Sequence, residues 1–309
     1  MSSRFSTLPG RLAPAAMFPA GRADIAVRWL GLRSGLKVRA IEAGPANGPP
    51  VVLIHGWGCS VFTFHRTIGP LAAAGFRVLA ADLKGHGLSD KPLGDGQYTT
   101  AAMVAHFREI LDAFGVARAA LVAHSLGGAL ALDVALASPE RVDRMALLAP
   151  VGLGRSGMAL LVRALTPRFV SPALPRLIPR WAAKLVLRFA YGNLRGFTER
   201  DVDEYWAPTQ FPPATLAARA VAHEFDWSPL APARLARLHS PTLVIVGSRD
   251  RMIEPRTAGR LLESHASAKV RVIRGAGHVA LEERPDEVNA ALLEFLAPLL
   301  ERRVRQATG

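Results

Sequence analysis

Short hydrophobic runs alternate with longer amphipathic stretches along most of this chain. Two alternating segments lie at 26–32 and 37–44, and further strand-like segments recur at 78–83, 119–125, 144–150, 242–248 and 269–275. The segment at 51–56 is a continuous, largely apolar run. Such runs, bounded by turn residues, are typical of strands buried on both faces of a parallel sheet. Helical periodicity covers 62–74, 99–114, 126–137, 257–264 and 285–300. The alternation predicts an α/β fold, with a mainly parallel sheet flanked by helices.

Residues 151–230 interrupt this alternation. Leu, Ala, Trp and Arg recur there at helical spacing, prolines break the stretch, and no run indicates a strand. An insertion of that length between two strands favours a helical subdomain over one long loop. We therefore expect a core built from 25–150 and 231–309, a helical insertion at 151–230, and an N-terminal extension over 1–24.

Composition narrows the class of protein. Half of the 309 residues are hydrophobic, which supplies a sizeable core and excludes global disorder. Cys59 is the only cysteine, so an intrachain disulfide is excluded, and no Cys and His spacing indicates a metal site. No apolar run has the length of a transmembrane helix, and the N-terminus lacks the apolar stretch of a signal peptide. We expect a cytoplasmic protein that uses no cofactor.

The chain carries a formal net charge of +13, from 38 Lys and Arg against 25 Asp and Glu. Only five of the basic residues are lysines, which indicates arginine-rich coding, and no recognised module for binding nucleic acid accompanies them. Eight basic residues and no acidic one lie between Pro150 and Thr198: Arg155, Arg163, Arg168, Arg176, Arg180, Lys184, Arg188 and Arg195. Those from 176 to 188 are spaced by four, with apolar residues between them. This stripe fits either a helix that contacts an anionic membrane peripherally or the solvated face of a helix that closes a site.

The pentapeptide Ala123-His124-Ser125-Leu126-Gly127 stands where a predicted strand meets a predicted helix. It fits the pattern G-x-S-x-G of a nucleophile elbow, in which small residues allow a sharp turn to present the serine. The motif alone also fits a serine that caps a helix. Its position at a strand–helix junction favours Ser125 as a nucleophile.

Two later strand ends offer the groups that activate such a serine. Asp250 follows the strand 242–248, and His278 follows the strand 269–275. Because the carboxyl ends of parallel strands share one edge of the sheet, we expect Ser125, His278 and Asp250 to converge there. The histidine would act as base and the aspartate would orient it. Alone, each residue also fits a turn or a surface loop.

A loop with two glycines, His55-Gly56-Trp57-Gly58, follows the strand at 51–56. Backbone N–H groups of such a loop and of the residue after the nucleophile can bind an oxyanion. We expect the N–H groups of Trp57 and Leu126 to form the oxyanion hole, with Gly58 as the second choice for the loop. The residues expected to contact substrate are Trp57, His124, Phe189, Trp206 and Val279.

These motifs together resemble the α/β-hydrolase-fold serine hydrolases that carry an HGxG loop, over about residues 25–300. The matching segments are HGWG (55–58), DLKGHGLSDKP (82–92), AHSLGG (123–128), GSRD (247–250) and GAGHVALEERP (275–285). The resemblance implies Ser125 as nucleophile, His278 as base, Asp250 as acid, and a cap inserted after the strand that ends at Pro150. Ala123 departs from the family's first glycine. Relatives that act on haloalkanes or epoxides use an aspartate nucleophile, so Ser125 argues against both activities.

We therefore predict a serine hydrolase that cleaves carboxylic esters with an apolar acyl or alcohol group, like an esterase or a monoacylglycerol lipase. Two other activities share the same triad: hydrolysis of a carbon–carbon bond in products of aromatic-ring cleavage, and cofactor-free perhydrolysis. A member that only binds ligand is a further alternative, although a binder has no need of all three triad residues. The expected partner is a small-molecule ester and not a nucleic acid.

Overall fold

A computed structural model of the protein describes residues 12–154, 157, 160, 163–164, 178–194, 196–211, 213–265 and 267–308. Within these residues, one sheet of eight strands runs in the order β1-β2-β4-β3-β5-β6-β7-β8. The strands are β1 (Ile25–Gly31), β2 (Lys37–Ala43), β3 (Pro50–Ile54), β4 (Arg77–Ala81), β5 (Ala119–His124), β6 (Val142–Leu148), β7 (Thr242–Gly247) and β8 (Ala268–Ile273). β2 pairs antiparallel with both of its neighbours, β1 and β4, and the other five pairs are parallel, which confirms the predicted α/β fold.

Helices cover both faces of this sheet. They are α1 (Ile68–Ala73), α2 (Thr100–Ala113), α3 (Leu126–Ala137), α4 (Arg180–Ala190), α5 (Glu199–Trp206), α6 (Ala214–Glu224), α7 (Pro232–Leu235), α8 (Gly259–Ser264), α9 (Ala280–Glu283) and α10 (Pro285–Thr308). Alternate residues of each central strand enter opposite cores: Val52 and Ile54 pack with α2 and α3, whereas Val51 and Leu53 pack with α1 and α10. Burial on both faces explains why these strands are continuous apolar runs.

The predicted helix at 62–74 is two shorter elements. A 3-10 turn at Val61–Phe64 begins at Ser60, whose hydroxyl accepts a hydrogen bond from the Phe62 N–H, and α1 begins only at Ile68. Pro70 lacks a backbone N–H, which costs no helical hydrogen bond in the first turn, and it is the third residue of a helix that starts at Ile68.

The insertion contributes α4, α5 and α6 and, over the part that the structure describes, no strand. The boundaries 151–230 and 1–24 stay predictions. The end of the predicted extension packs between the insertion and the core: the Phe18 N–H donates to Glu204 Oε1 of α5 at 2.8 Å, and Arg39 Nη1 donates to the Phe18 carbonyl at 3.1 Å. No helix in the described ranges is long and apolar enough to cross a membrane.

The basic stripe of α4 is partly neutralised by the neighbouring helix. Arg180 binds Glu199 and Asp203 of α5, each at 2.7 Å, and Lys184 also binds Glu199. The sequence segment without acids ends one residue before Glu199, so only the fold brings these carboxylates to the stripe. Arg155, Arg168, Arg176 and Arg195 lie outside the described residues. Peripheral contact with an anionic membrane therefore stays a prediction.

Candidate active site

Ser125 lies in a strained turn between β5 and α3. Its backbone angles are φ 53° and ψ −116°, in a region that residues other than glycine rarely adopt. Three hydrogen bonds hold this geometry: the Ser125 N–H donates to the Leu148 carbonyl, and the Ser125 carbonyl accepts from the N–H groups of Gly128 and Val151, all at 2.9 Å. Such strain persists only where the surroundings enforce it, and it is typical of functional sites.

The glycines around Ser125 are required by close packing of main chains. A Cβ at Gly127 would lie 2.4 Å from the Ile54 carbonyl oxygen, and one at Gly128 would lie 2.5 Å from Pro150 Cβ. A Cβ at Gly56, in the loop after β3, would lie 2.9 Å from the Ser125 Cβ. The sequence motif therefore reflects the contact of three strand ends at one point.

Asp250 and His278 reach Ser125 from the ends of β7 and β8. His278 Nε2 lies 3.0 Å from Ser125 Oγ, and His278 Nδ1 lies 2.9 Å from Asp250 Oδ2. The other carboxylate oxygen of Asp250 accepts from the N–H groups of Met252 at 2.8 Å and Ile253 at 3.0 Å. The three residues that the sequence placed at one edge of the sheet thus form a continuous chain of hydrogen bonds.

The surroundings of Asp250 favour its ionised form. Burial by itself would raise the pKa of this carboxyl, but the neighbouring His278 and the two N–H donors outweigh it, and the net pKa is lowered. An ionised Asp250 accepts a hydrogen bond from the Nδ1–H of His278. That hydrogen bond leaves Nε2 unprotonated and able to accept the Ser125 hydroxyl proton.

His124 contacts the loop of His278 through a hydrogen bond and through its ring. Its Nε2 lies 3.1 Å from the His278 carbonyl oxygen, and the two imidazole rings are 4.9 Å apart. Burial, with a smaller contribution from His278, lowers the pKa of His124 to about 3, so the ring is neutral and donates from Nε2. The side chain is buried, with 1% of the residue exposed. The ring packs against His278, and contact of His124 with substrate stays a prediction.

The two N–H groups expected to bind an oxyanion belong to the residue after Ser125 and to the loop after β3. Leu126 is the first residue of α3, and Trp57 is in the loop after β3. Neither N–H has a hydrogen-bond partner among the residues that the structure describes. A free N–H in the first turn of a helix is a donor for an anion. The arrangement is compatible with an oxyanion hole, whose assignment stays a prediction.

The side chain of Trp57 joins this loop to the insertion. Its indole Nε1 donates to the Ala218 carbonyl of α6 at 3.0 Å, and its ring lies edge-on to Trp227 with 5.4 Å between centroids. His55 braces the same loop, because its Nδ1 donates to the Gly56 carbonyl at 2.8 Å and its Nε2 accepts from the Leu83 N–H at 2.9 Å. The contacts of Trp57 and of His55 together fix the loop that carries the Trp57 N–H.

The remaining predicted substrate contacts differ in their surroundings. Val279 is buried in the core beside His278. Trp206 donates from its indole Nε1 to the Ile178 carbonyl at 2.7 Å. Phe189 is 42% exposed and lies on the same face of α4 as Trp181, which is 68% exposed, and Leu185, which is 58% exposed. Contact of these three predicted residues with substrate stays a prediction.

Two glutamates shortly after His278 were not singled out from the sequence. Glu282 and Glu283 belong to the segment GAGHVALEERP, and their carboxylates bind residues of the insertion, among them Tyr191 and Gly192. A sequence feature that could have identified them was present, because two acidic residues follow His278 in a mostly apolar segment. Their partners are about 90 residues away in sequence, and spacing alone could not identify them.

Comparisons with known proteins agree on one family. The family described as alpha/beta hydrolase fold matches residues 49–285. A 2-hydroxy-6-oxo-6-phenylhexa-2,4-dienoate hydrolase from Comamonas testosteroni is 32% identical over 268 residues, covering 82% of this chain and 89% of that protein. The solved structure of a hydrolase for the same compound from a Rhodococcus strain has a TM-score of 0.73 and 25% identity, covering 87% of this chain and 98% of the other. A carboxylesterase structure from Bacillus subtilis has a TM-score of 0.76 and 20% identity, covering 92% and 94%, and so shares the fold.

Proposed function

The chain belongs to the α/β-hydrolase family, and from that premise we propose that it is a serine hydrolase that cleaves carboxylic esters through an acyl-enzyme. The observation that carries the proposal is the chain of hydrogen bonds from Ser125 to His278 to Asp250, with distances of 3.0 and 2.9 Å. A serine hydroxyl attacks a carbonyl only when a base takes its proton and an acid orients that base. These three side chains supply each role.

In the acylation step, Ser125 Oγ attacks the carbonyl carbon of the ester while its proton passes to His278 Nε2. Asp250, ionised, stabilises the imidazolium that forms. The negative charge on the carbonyl oxygen would be bound by the N–H groups of Leu126 and Trp57. The imidazolium then gives its proton to the departing alcohol, leaving Ser125 acylated.

Deacylation repeats these steps with water in place of serine. His278 takes a proton from the water, whose oxygen attacks the acyl carbon, and returns that proton to Ser125 Oγ as the acid leaves. Asp250 and the two N–H groups act as before. The bond broken is the acyl–oxygen bond of Ser125, so the enzyme ends the cycle in its starting state.

We assign an apolar acyl or alcohol group to the substrate. The support is the aromatic surface beside the proposed oxyanion hole, where Trp57 packs against Trp227, and the apolar residues that the insertion offers in Trp206 and Phe189. Aromatic and aliphatic linings favour apolar groups because binding removes both surfaces from water.

A second candidate is hydrolysis of a carbon–carbon bond next to a ketone. It is favoured by the relatives, because the 32% identical protein from Comamonas testosteroni is named as a hydrolase of a 2-hydroxy-6-oxo dienoate. Ser125 Oγ would attack the ketone carbonyl carbon while its proton passes to His278 Nε2, and the leaving carbon would take that proton from the imidazolium as the carbon–carbon bond breaks. Binding without catalysis would leave every substrate of the series unchanged.

The test combines active-site labelling with substrate series. A fluorophosphonate probe should label the wild-type protein at Ser125, and Ser125→Ala should abolish both labelling and turnover. A chain-length series of p-nitrophenyl esters, a monoacylglycerol and a ring-cleavage dienoate then identify the leaving group. Turnover of the dienoate without ester turnover would replace the ester assignment with carbon–carbon cleavage. No labelling of the wild type would contradict the serine mechanism.

A further inference from the structure

A short segment of the insertion lies directly on the loop that carries His278. The N–H of His278 donates to the carbonyl of Ala190, the last residue of α4, at 2.7 Å. A Cβ at Gly277 would lie 2.3 Å from that carbonyl oxygen, and a Cβ at Gly192 would lie 2.6 Å from the Gly277 N–H nitrogen. The two main chains therefore touch without room for side chains. The backbone of the proposed base is held by the insertion as well as by the end of β8.

The carboxylate of Glu283 joins the same two segments. One oxygen accepts from the Gly277 N–H at 2.6 Å, and both oxygens accept from the Gly192 N–H, at 3.0 and 3.1 Å. The second oxygen also accepts from the Asn193 N–H at 3.1 Å. Hydrogen bonds from N–H groups to an ionised carboxylate are stronger than those between neutral groups. One side chain thus fixes the residue before His278 relative to residues 190–193.

Glu282, the preceding residue, fastens the insertion from the buried side. Its carboxyl accepts hydrogen bonds from the hydroxyl of Tyr191, at 2.6 Å, and from that of Tyr205 on α5. The Tyr205 hydroxyl lies 3.2 Å from Thr63 Oγ1 in the segment after the proposed oxyanion loop. The contacts of Glu282 therefore reach both helices α4 and α5 of the insertion and the core beneath them.

We propose that Glu283 is a positioning residue for His278, which it holds in place through residues 190–193 of the insertion, with Glu282 keeping that segment docked. The proposal rests on the proposed function, in which His278 is the base. A base transfers a proton efficiently only within hydrogen-bond reach of the nucleophile, and a misplacement of about 1 Å costs on the order of 100-fold in rate. Turnover thus depends on the insertion being docked, although none of its residues carries the proton.

Glu283→Ala and Glu283→Gln test this role. The alanine variant should lower kcat about 10- to 100-fold and change KM less than about threefold, because the base loosens while the substrate pocket remains. The glutamine variant should retain intermediate activity, since its amide oxygen still accepts from the Gly277 N–H. The rate of fluorophosphonate labelling should fall by the same factor as kcat, because labelling also requires His278. Glu287→Ala removes an exposed carboxylate on α10 and is the matched control.

A second measurement separates this proposal from the proposed function. The proton between His278 Nδ1 and Asp250 gives a low-field NMR signal that His278→Ala identifies, whether or not the protein turns over an ester. The signal should broaden or vanish in Glu283→Ala, remain in Glu287→Ala, and return in part in Glu283→Gln. An unchanged signal with unchanged kcat in Glu283→Ala would overturn the positioning role. An unlabelled wild-type protein with the expected signal pattern would instead contradict only the hydrolytic mechanism.

Discussion

The Nε2 atom of His124 lies 3.1 Å from the carbonyl oxygen of His278, so the residue before the proposed nucleophile supports the loop of the proposed base. The interaction links the end of β5 to the segment after β8, which are not neighbours in the sheet. A shift of either strand end would therefore change the distance between Ser125 and His278 directly.

Replacing His124 with phenylalanine tests that link. The variant keeps an aromatic ring against His278 but removes the donor, so the His278 carbonyl is left without this partner. We expect kcat to fall roughly tenfold, since small displacements of the base are costly, while KM for a short p-nitrophenyl ester stays nearly constant. Full kcat in a folded His124→Phe variant would show that ring packing alone supports the loop.

Asp250→Asn tests the orientation of His278. An amide in place of the carboxylate can donate to Nδ1 and so favours the tautomer in which Nε2 carries the proton and cannot accept the one on Ser125. By analogy with the known effect on such triads, we expect kcat to fall about 10³- to 10⁴-fold. Single-turnover acylation with p-nitrophenyl acetate measures this loss. A variant within tenfold of the wild type would exclude Asp250 as the orienting acid.

The same substitution has an expected effect on stability. Because the pKa of Asp250 is lowered in the fold, the stabilisation from its ionised form is present above the ordinary carboxyl pKa and is lost as pH falls through the lowered value. Because an asparagine does not ionise, the free energy of unfolding of Asp250→Asn should fall less than that of the wild type as the pH is lowered. Urea unfolding at pH 7 and at pH 3 to 4 compares the two proteins.

Glu282 should make the stability of the protein fall with rising pH. Burial raises the pKa of Glu282 to about 8, although the hydroxyls of Tyr191 and Tyr205 lower it. Among the charged groups around it, Asp201 raises this pKa and Arg66 lowers it. Cys59 is also close enough to interact with the carboxyl of Glu282. The contribution of protonated Glu282 to the free energy of unfolding is fully present below the unfolded pKa near 4.5 and is lost towards pH 8. The reason is that in this range the native state still holds the proton that the unfolded state has released. The slope for one proton is at most about 1.4 kcal/mol per pH unit.

Glu282→Gln should flatten that dependence. The amide resembles the protonated carboxyl and does not ionise, so the variant should gain stability relative to the wild type between pH 5 and pH 8. Urea unfolding at both values measures the gain, with Glu287→Gln, an exposed glutamate on α10, as the control for lost charge. Parallel pH curves for wild type and Glu282→Gln would contradict a raised pKa at this position.

Gly56→Ala tests the close approach of the loop after β3 to the nucleophile. The added Cβ would lie 2.9 Å from Ser125 Cβ and 3.1 Å from His124 Nδ1, so the loop or the serine must move. We expect labelling of Ser125 to slow by about 100-fold, with the fold retained by circular dichroism. Gly31→Ala is the control, because its Cβ would meet no atom within 4 Å. Equal labelling rates for the two variants would show that the loop after β3 can shift without displacing Ser125.

Sequence alone determined the parts of this protein that depend on local chemistry. The apolar runs predicted the central strands because a strand buried on both faces must be largely apolar. Ser125, Asp250 and His278 could be chosen because each follows a predicted strand. The glycines at 56, 127 and 128 pointed to the same edge for a steric reason that the structure makes explicit.

Only the tertiary structure decided what surrounds His278. The pairing of Arg180 with Glu199, the buried position of His124, and the binding of Glu282 and Glu283 to residues 190–193 all join segments that no periodicity relates. A carboxylate in a sequence has the same appearance whether it will be solvated or buried against a tyrosine hydroxyl, because its partner is chosen by chain packing. For that reason the residues of the proposed triad could be chosen from the sequence, whereas the contacts that hold His278 in place could not.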